Sequence, residues 1–169
     1  VMKLFNLSFP EALQKINSDF TLLLDTTQEP IKSNRQLAQE VTKFTIKRKP
    51  FNHAEKGFWL KFGIDEQTLK RFNVSSLEEF STTSKIGNPY TTKSSFDKFI
   101  FAYENNHWVK LYKPLDEKKY KFQYLGTKEQ GFIFGWKQLP DNGELLIITG
   151  GEKDVMTLAA KGFNAITLN

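Results

Sequence analysis

The last stretch of the chain, residues 144–169, has the least freedom in what it can become. Glu144 to Thr149 reads as a continuous apolar strand of the buried type. Gly150-Gly151 follows as a tight turn. Glu152 to Lys161 then reads as a helix, with Val155, Met156, Leu158 and Ala159 facing inward. Gly162 is a helix stop, and Ala165 to Leu168 is a second buried strand. A strand, a helix and a strand so closely spaced make a βαβ unit, whose two strands are expected to be parallel.

Upstream the pattern differs. From Phe96 the runs Lys98–Tyr103, Trp108–Tyr112, Tyr120–Leu125 and Phe132–Trp136 are rich in β-formers. Turn signals part them at Asn105-Asn106, 114–117, 126–131 and Asp141-Asn142-Gly143, so an antiparallel meander is expected. Before that the sequence looks helical. Ser8 and Glu11 form a capping box with Pro10 in the first turn, and Leu13 and Ile16 continue an apolar face. Residues 25–35 have linker composition. Leu37, Val41 and Phe44 sit at helical or mixed spacing, and the element ends at Lys47-Arg48-Lys49-Pro50. Two short helices follow, Ala54 to Phe62 and an Asp65-capped one through Phe72. Residues 81–95 read as a long polar loop. The expected fold is α+β: a helix at 1–20, a helical part with linkers at 21–95, a basic antiparallel sheet at 96–143, and the start of an α/β subdomain at 144–169. Both ends read as cut from something longer.

Composition excludes several classes. The 169 residues contain no cysteine, so a disulfide scaffold and any Cys-ligated zinc or iron–sulfur site are ruled out within them. Two histidines, His53 and His107, cannot alone build a zinc site. No apolar run approaches the roughly 20 residues of a membrane helix. With no secretory signal legible, a cytoplasmic protein without membrane contact is expected. The 16 Phe, 5 Tyr and 3 Trp supply enough apolar area for a core. The formal charge of +5 permits a polyanion partner without requiring one.

Two stretches carry possible chemistry. Glu152 and Asp154 sit in the first turn of the last helix, where acids can hold a divalent cation or simply complement the helix dipole. The turn is neither a Walker loop nor a dinucleotide fingerprint, for it lacks the Gly-Lys-Ser/Thr of the first and the third glycine of the second. Residues 108–128 hold six lysines and two acids among Trp108, Tyr112, Tyr120, Phe122 and Tyr124. On a strand, Lys119 and Lys121 share one face and Tyr120, Phe122 and Tyr124 the other. Such a surface either tracks phosphates or is an ordinary solvated lysine face. Lys47-Arg48-Lys49 reads as a solvated helix end.

Together these residues carry a resemblance. Leu145-Leu-Ile-Ile-Thr-Gly-Gly-Glu-Lys-Asp154-Val-Met-Thr-Leu158 resembles the opening of a TOPRIM domain, the metal-binding fold shared by bacterial primases, type II topoisomerases and related nucleases. Lys119-Tyr-Lys-Phe-Gln-Tyr-Leu-Gly126 and Phe134-Gly-Trp-Lys-Gln-Leu-Pro140 resemble the stretch before it in phage-type primase–helicases. Gly57 to Val74 is similar to the helical part of the same polymerase domain. Val1 to Leu13 resembles the helix that follows a primase zinc ribbon. The pieces occur in the family's order and span nearly the whole chain.

The resemblance implies a portion of a DNA primase, of phage or mobile-element type, that makes RNA primers on single-stranded DNA by metal-dependent nucleotidyl transfer. It implies magnesium or manganese in the full-length protein, and zinc only in a ribbon upstream of Val1. Template, ribonucleotides and a replicative helicase, fused or separate, would be the partners. Lys110, Lys113, Lys119 and Lys121 would contact phosphates. Glu152 and Asp154 would form the acidic, catalytic and metal-binding site, with Gly150 and Gly151 shaping the turn. There are departures. The family's metal-binding Glu falls at Gly150, and its later Asp-x-Asp pair would lie beyond Asn169. The piece by itself is therefore not expected to synthesise primers. A second expectation is a TOPRIM-like module without catalysis that binds nucleic acid beside a helicase. A third is a basic α+β domain with no nucleic-acid role.

Overall fold

The computed structural model describes residues 43–84 and 86–168, together with Glu11, Lys15 and Ser18. The chain divides into two compact units, Val1–Ala38 and Gln39–Asn169. In the first, Glu11, Lys15 and Ser18 are helical, as the sequence between 1 and 20 predicts. The Ser8 cap and the expectations at 25–35, Leu37 and Val41 lie outside the described residues.

The second unit begins with β1 (Thr45–Lys49), α1 (His53–Leu60) and α2 (Glu66–Arg71). Then come β2 (Val74–Thr83), β3 (Pro89–Lys93), β4 (Phe101–Glu104), β5 (Trp108–Tyr112) and β6 (Phe122–Gly126). The rest is β7 (Ile133–Phe134), β8 (Ile147–Thr149), α3 (Glu152–Ala160) and β9 (Ala165–Leu168). The first six strands make an antiparallel sheet ordered β1-β2-β4-β5-β6, with β3 also paired to β2. The last three make a second sheet ordered β7-β9-β8. In it β8 and β9 are parallel, joined through α3, while β7 is antiparallel to β9. The architecture is thus mixed α and β, dominated by an antiparallel sheet.

Local signals account for the helices. Asn52 caps α1 through a capping box: its side chain accepts from the Glu55 N–H at 2.9 Å, and the Glu55 carboxylate accepts from the Asn52 N–H at 2.9 Å. Asp65 caps α2, accepting from the Thr68 N–H at 2.7 Å. Those hydrogen bonds, the Thr68 ones foremost, hold the Asp65 carboxyl below the usual carboxylate range.

Several expectations fail where long-range pairing overrides local pattern. Lys47-Arg48-Lys49 ends no helix but lies in β1, and each cation meets an acid on another element. Lys47 is 2.9 Å from Glu78, Arg48 2.5 Å from Glu104, and Lys49 2.8 Å from the buried Glu55. Residues 81–95 are not a loop. β2 runs on to Thr83, and β3 returns against it, with the Ser81 and Thr91 hydroxyls 2.8 Å apart. Within 21–95 the described residues therefore hold β1, β2 and β3 as well as α1 and α2. The 132–136 run does not join the meander. It gives the short β7 of the second sheet, and Gly135 (φ 92°) then turns the chain into a 3-10 turn at Trp136–Gln138. A Cβ at Gly135 would sit 2.6 Å from the Ala165 carbonyl oxygen, so the close approach demands glycine. The strand expected at 144–149 shortens to β8, and it is no buried strand. Among the described residues it is an edge of its sheet, with Leu145, Leu146 and Ile148 exposed.

Each face of the larger sheet carries a core. On one face Phe101, Tyr103, Tyr112 and Val74 pack with Trp59 and Leu69 of the two short helices and with Phe134, Val155 and Met156. On the other Leu77, Phe80, Ala102, Val109, Leu111 and Leu125 cluster with Phe44 and Ile46. β5 is buried on both faces, Trp108, Lys110 and Tyr112 to one side and Val109 and Leu111 to the other. A lysine in such a strand needs a partner.

Candidate nucleic-acid interface

That partner is Glu152. Lys110 Nζ and a Glu152 carboxylate oxygen form a buried ion pair between the central strand of the large sheet and the first turn of α3. Both side chains are nearly enclosed, with 10 % and 6 % of their surface exposed. The ammonium also lies 4.8 Å from the Phe122 ring centre and 5.6 Å from that of Tyr124. Two residues expected at separate sites, one on phosphate and one on metal, are thus brought onto each other. Tyr103, next to Lys110 across β4–β5, has its phenol pushed well above the ordinary range by burial and then by the Glu152 charge.

The other sequence candidates are placed as follows. Lys113 follows β5 with its side chain largely covered, 3.6 Å from Asp116. Lys119 is exposed on a 3-10 turn at Lys118–Tyr120, 3.5 Å from Glu117 and 4.6 Å over the Tyr120 ring. Lys121 is half-buried, and its carbonyl accepts from the Lys113 N–H. Because the strand begins only at Phe122, Lys119 and Lys121 do not alternate along it as the sequence pattern suggests. Asp154 is exposed in the first turn of α3. Gly150 and Gly151 form the bend before it. Neither has a positive φ, and a Cβ at Gly150 would meet nothing within 4 Å.

The aromatic residues beside these lysines are surface groups. Tyr120, Phe122 and Tyr124 are 54 %, 50 % and 43 % exposed. They belong to a groove of about 1150 Å³ between β6 and the tip of the β2–β3 hairpin. Tyr90, Lys43, Lys113 and Lys119 also line it, and among the described residues no carboxylate does. A 2.6 Å hydrogen bond from Gln123 to the Tyr90 hydroxyl ties β3 to β6. Phe122 is held by stacking on Tyr112 (5.1 Å, 12°) and Tyr124 by Trp108 at 5.8 Å. Tyr90, Lys43 and Gln123 are absent from the sequence candidates. Only Tyr90-Thr91-Thr92 is β-prone there, a run too short to mark a strand by itself.

No group of three or more acidic, histidine or cysteine side chains able to hold a metal occurs among the described residues. Glu152 is turned onto Lys110, and Asp154 stands apart in solvent. The described residues alone therefore do not fit a divalent cation. Among them no helix is long and apolar enough to cross a membrane. No family model, curated protein or solved structure matches the chain.

Proposed function

We propose that this chain is the strand-gripping portion of a TOPRIM-type primase, and that it holds single-stranded polynucleotide in the groove between β6 and the β2–β3 hairpin. The observation that carries the reading is the set of half-exposed rings of Tyr120, Phe122 and Tyr124 along a groove whose described lining charges are all positive. Bases stack on exposed rings irrespective of sequence, each contributing about 1–3 kcal/mol, while lysines follow the phosphates. A duplex keeps its base faces covered, so the rings favour an unpaired strand. Template DNA is the proposed occupant, and primer synthesis with ribonucleotides beside a helicase the proposed activity of the parent protein. Magnesium or manganese would there need carboxylates beyond the described ones, with Asp154 the exposed acid nearest the bend. The pairing of Glu152 with Lys110 and the absence of a side chain at Gly150 favour a second reading, in which the module binds nucleic acid without catalysis.

Fluorescence anisotropy with a labelled dT oligomer tests the grip. If Lys43, Lys113 and Lys119 each meet a phosphate, log K falls with log salt at a slope of about −2, from roughly −0.7 per contact. Absence of binding at low salt, or equal affinity for a hairpin duplex, rejects the reading.

A further inference from the structure

A second cavity, of about 410 Å³, shares no lining residue with the groove. It lies where α2 gives way to β2, beside the β4–β5 turn and the loop after β7. Its floor is aromatic: Phe72 stacks on Phe134 (5.3 Å, 27°), and Tyr103 meets Phe134 edge-on at 5.5 Å. Its rim is amide and ammonium, from Asn73, Asn105, Asn106, Lys70 and Lys137. Arg71 and Gln138 clip one end shut, each donating from its side chain to the other's backbone carbonyl at 2.8 and 3.1 Å. A pre-formed pocket of this size with a few convergent polar groups is typical of small-molecule sites.

The charges point to an anion. Glu104 is the acid in the lining, and its carboxylate is occupied by Arg48 and by the Ser75 hydroxyl. Burial raises its pKa, yet those hydrogen bonds prevail and keep it ionised below the usual range. Lys70 and Lys137 have no acidic partner among the described residues. Amides, which both donate and accept, suit the edge of a heterocyclic ring. An apolar floor suits its face.

We propose that this cavity is a binding site for a nucleoside monophosphate, with the base against the Phe72–Phe134 floor and the phosphate toward Lys70 and Lys137. The site needs no metal and is independent of the polynucleotide groove. Isothermal titration of the whole chain with AMP, GMP, CMP and UMP, without magnesium, tests it, with adenosine and inorganic phosphate as the partial ligands. Saturable one-site binding is expected, with a dissociation constant on the order of 0.1 mM for the best nucleotide. Adenosine and phosphate should each bind at least about tenfold more weakly. Lys70→Ala and Lys137→Ala, both at exposed positions, should each weaken binding roughly tenfold. Phe122→Ala in the groove should leave it unchanged, and Lys137→Ala should leave dT-oligomer binding unchanged. No saturation by any nucleotide, indifference to both lysine substitutions, or loss in Phe122→Ala would each overturn the proposal.

Discussion

Lys110 and Glu152, 42 positions apart in the chain, close a buried ion pair that joins the antiparallel sheet to the helix of the βαβ unit. Removing one partner leaves a charge with little access to water, a loss on the order of 3–5 kcal/mol. Lys110→Ala and Glu152→Gln should each lower the urea midpoint markedly. The pair Lys110→Met with Glu152→Leu, which removes both charges, should lose much less. A double variant that loses as much as the two single variants together would mean that the charges do not interact.

Ring and charge in the groove separate by their salt response. Tyr124→Ala should weaken dT-oligomer binding by about 1–3 kcal/mol while leaving the salt slope as it was. Lys119→Ala should reduce the slope magnitude by about 0.7. Anisotropy titrations at several salt concentrations read both quantities. A change of slope in Tyr124→Ala would contradict the stacking role.

Glu104 gives a pH signature. Burial works against its charge, but hydrogen bonds from Arg48 and Ser75 outweigh burial and leave its folded pKa below the unfolded value. A depressed carboxylate stabilises the fold in full above the unfolded pKa, about 4.3. That contribution is lost as the pH falls through the lower, folded value. Glu104→Gln should therefore be less stable than the parent at pH 7, with the gap closing in acid. Urea midpoints from pH 7 to about pH 3 measure it. A gap independent of pH would assign the loss to packing.

Gly150→Glu should fold as well as the parent, because its Cβ meets nothing within 4 Å and its φ is not positive. The substitution puts an acid where the resemblance expects one. A manganese titration followed by electron paramagnetic resonance should show binding above that of the parent. An unchanged titration would mean that the bend cannot hold a cation even with an acid at that position.

Much of the architecture was legible in neighbouring residues. The Asp65 cap, the helix from Glu152 and its flanking parallel strands each rest on signals within a few positions, because caps and turns involve adjacent backbone groups. The β3 strand was not legible. It lies in a Ser-, Thr-, Gly- and Pro-containing stretch of loop composition, and it becomes a strand only by pairing with the far half of β2.

The candidate site divides along the same line. The sequence alone showed lysines interleaved with aromatics and two acids at the start of a helix, since residue type and spacing are local properties. It could not show that Lys110 faces Glu152, that Phe122 and Tyr124 lie at the surface, or that Gln123 between them reaches Tyr90. Those facts depend on the register of β5 with β6 and on where a second sheet docks. A one-residue slip in register would exchange the two faces of a strand, and only the packed core excludes it.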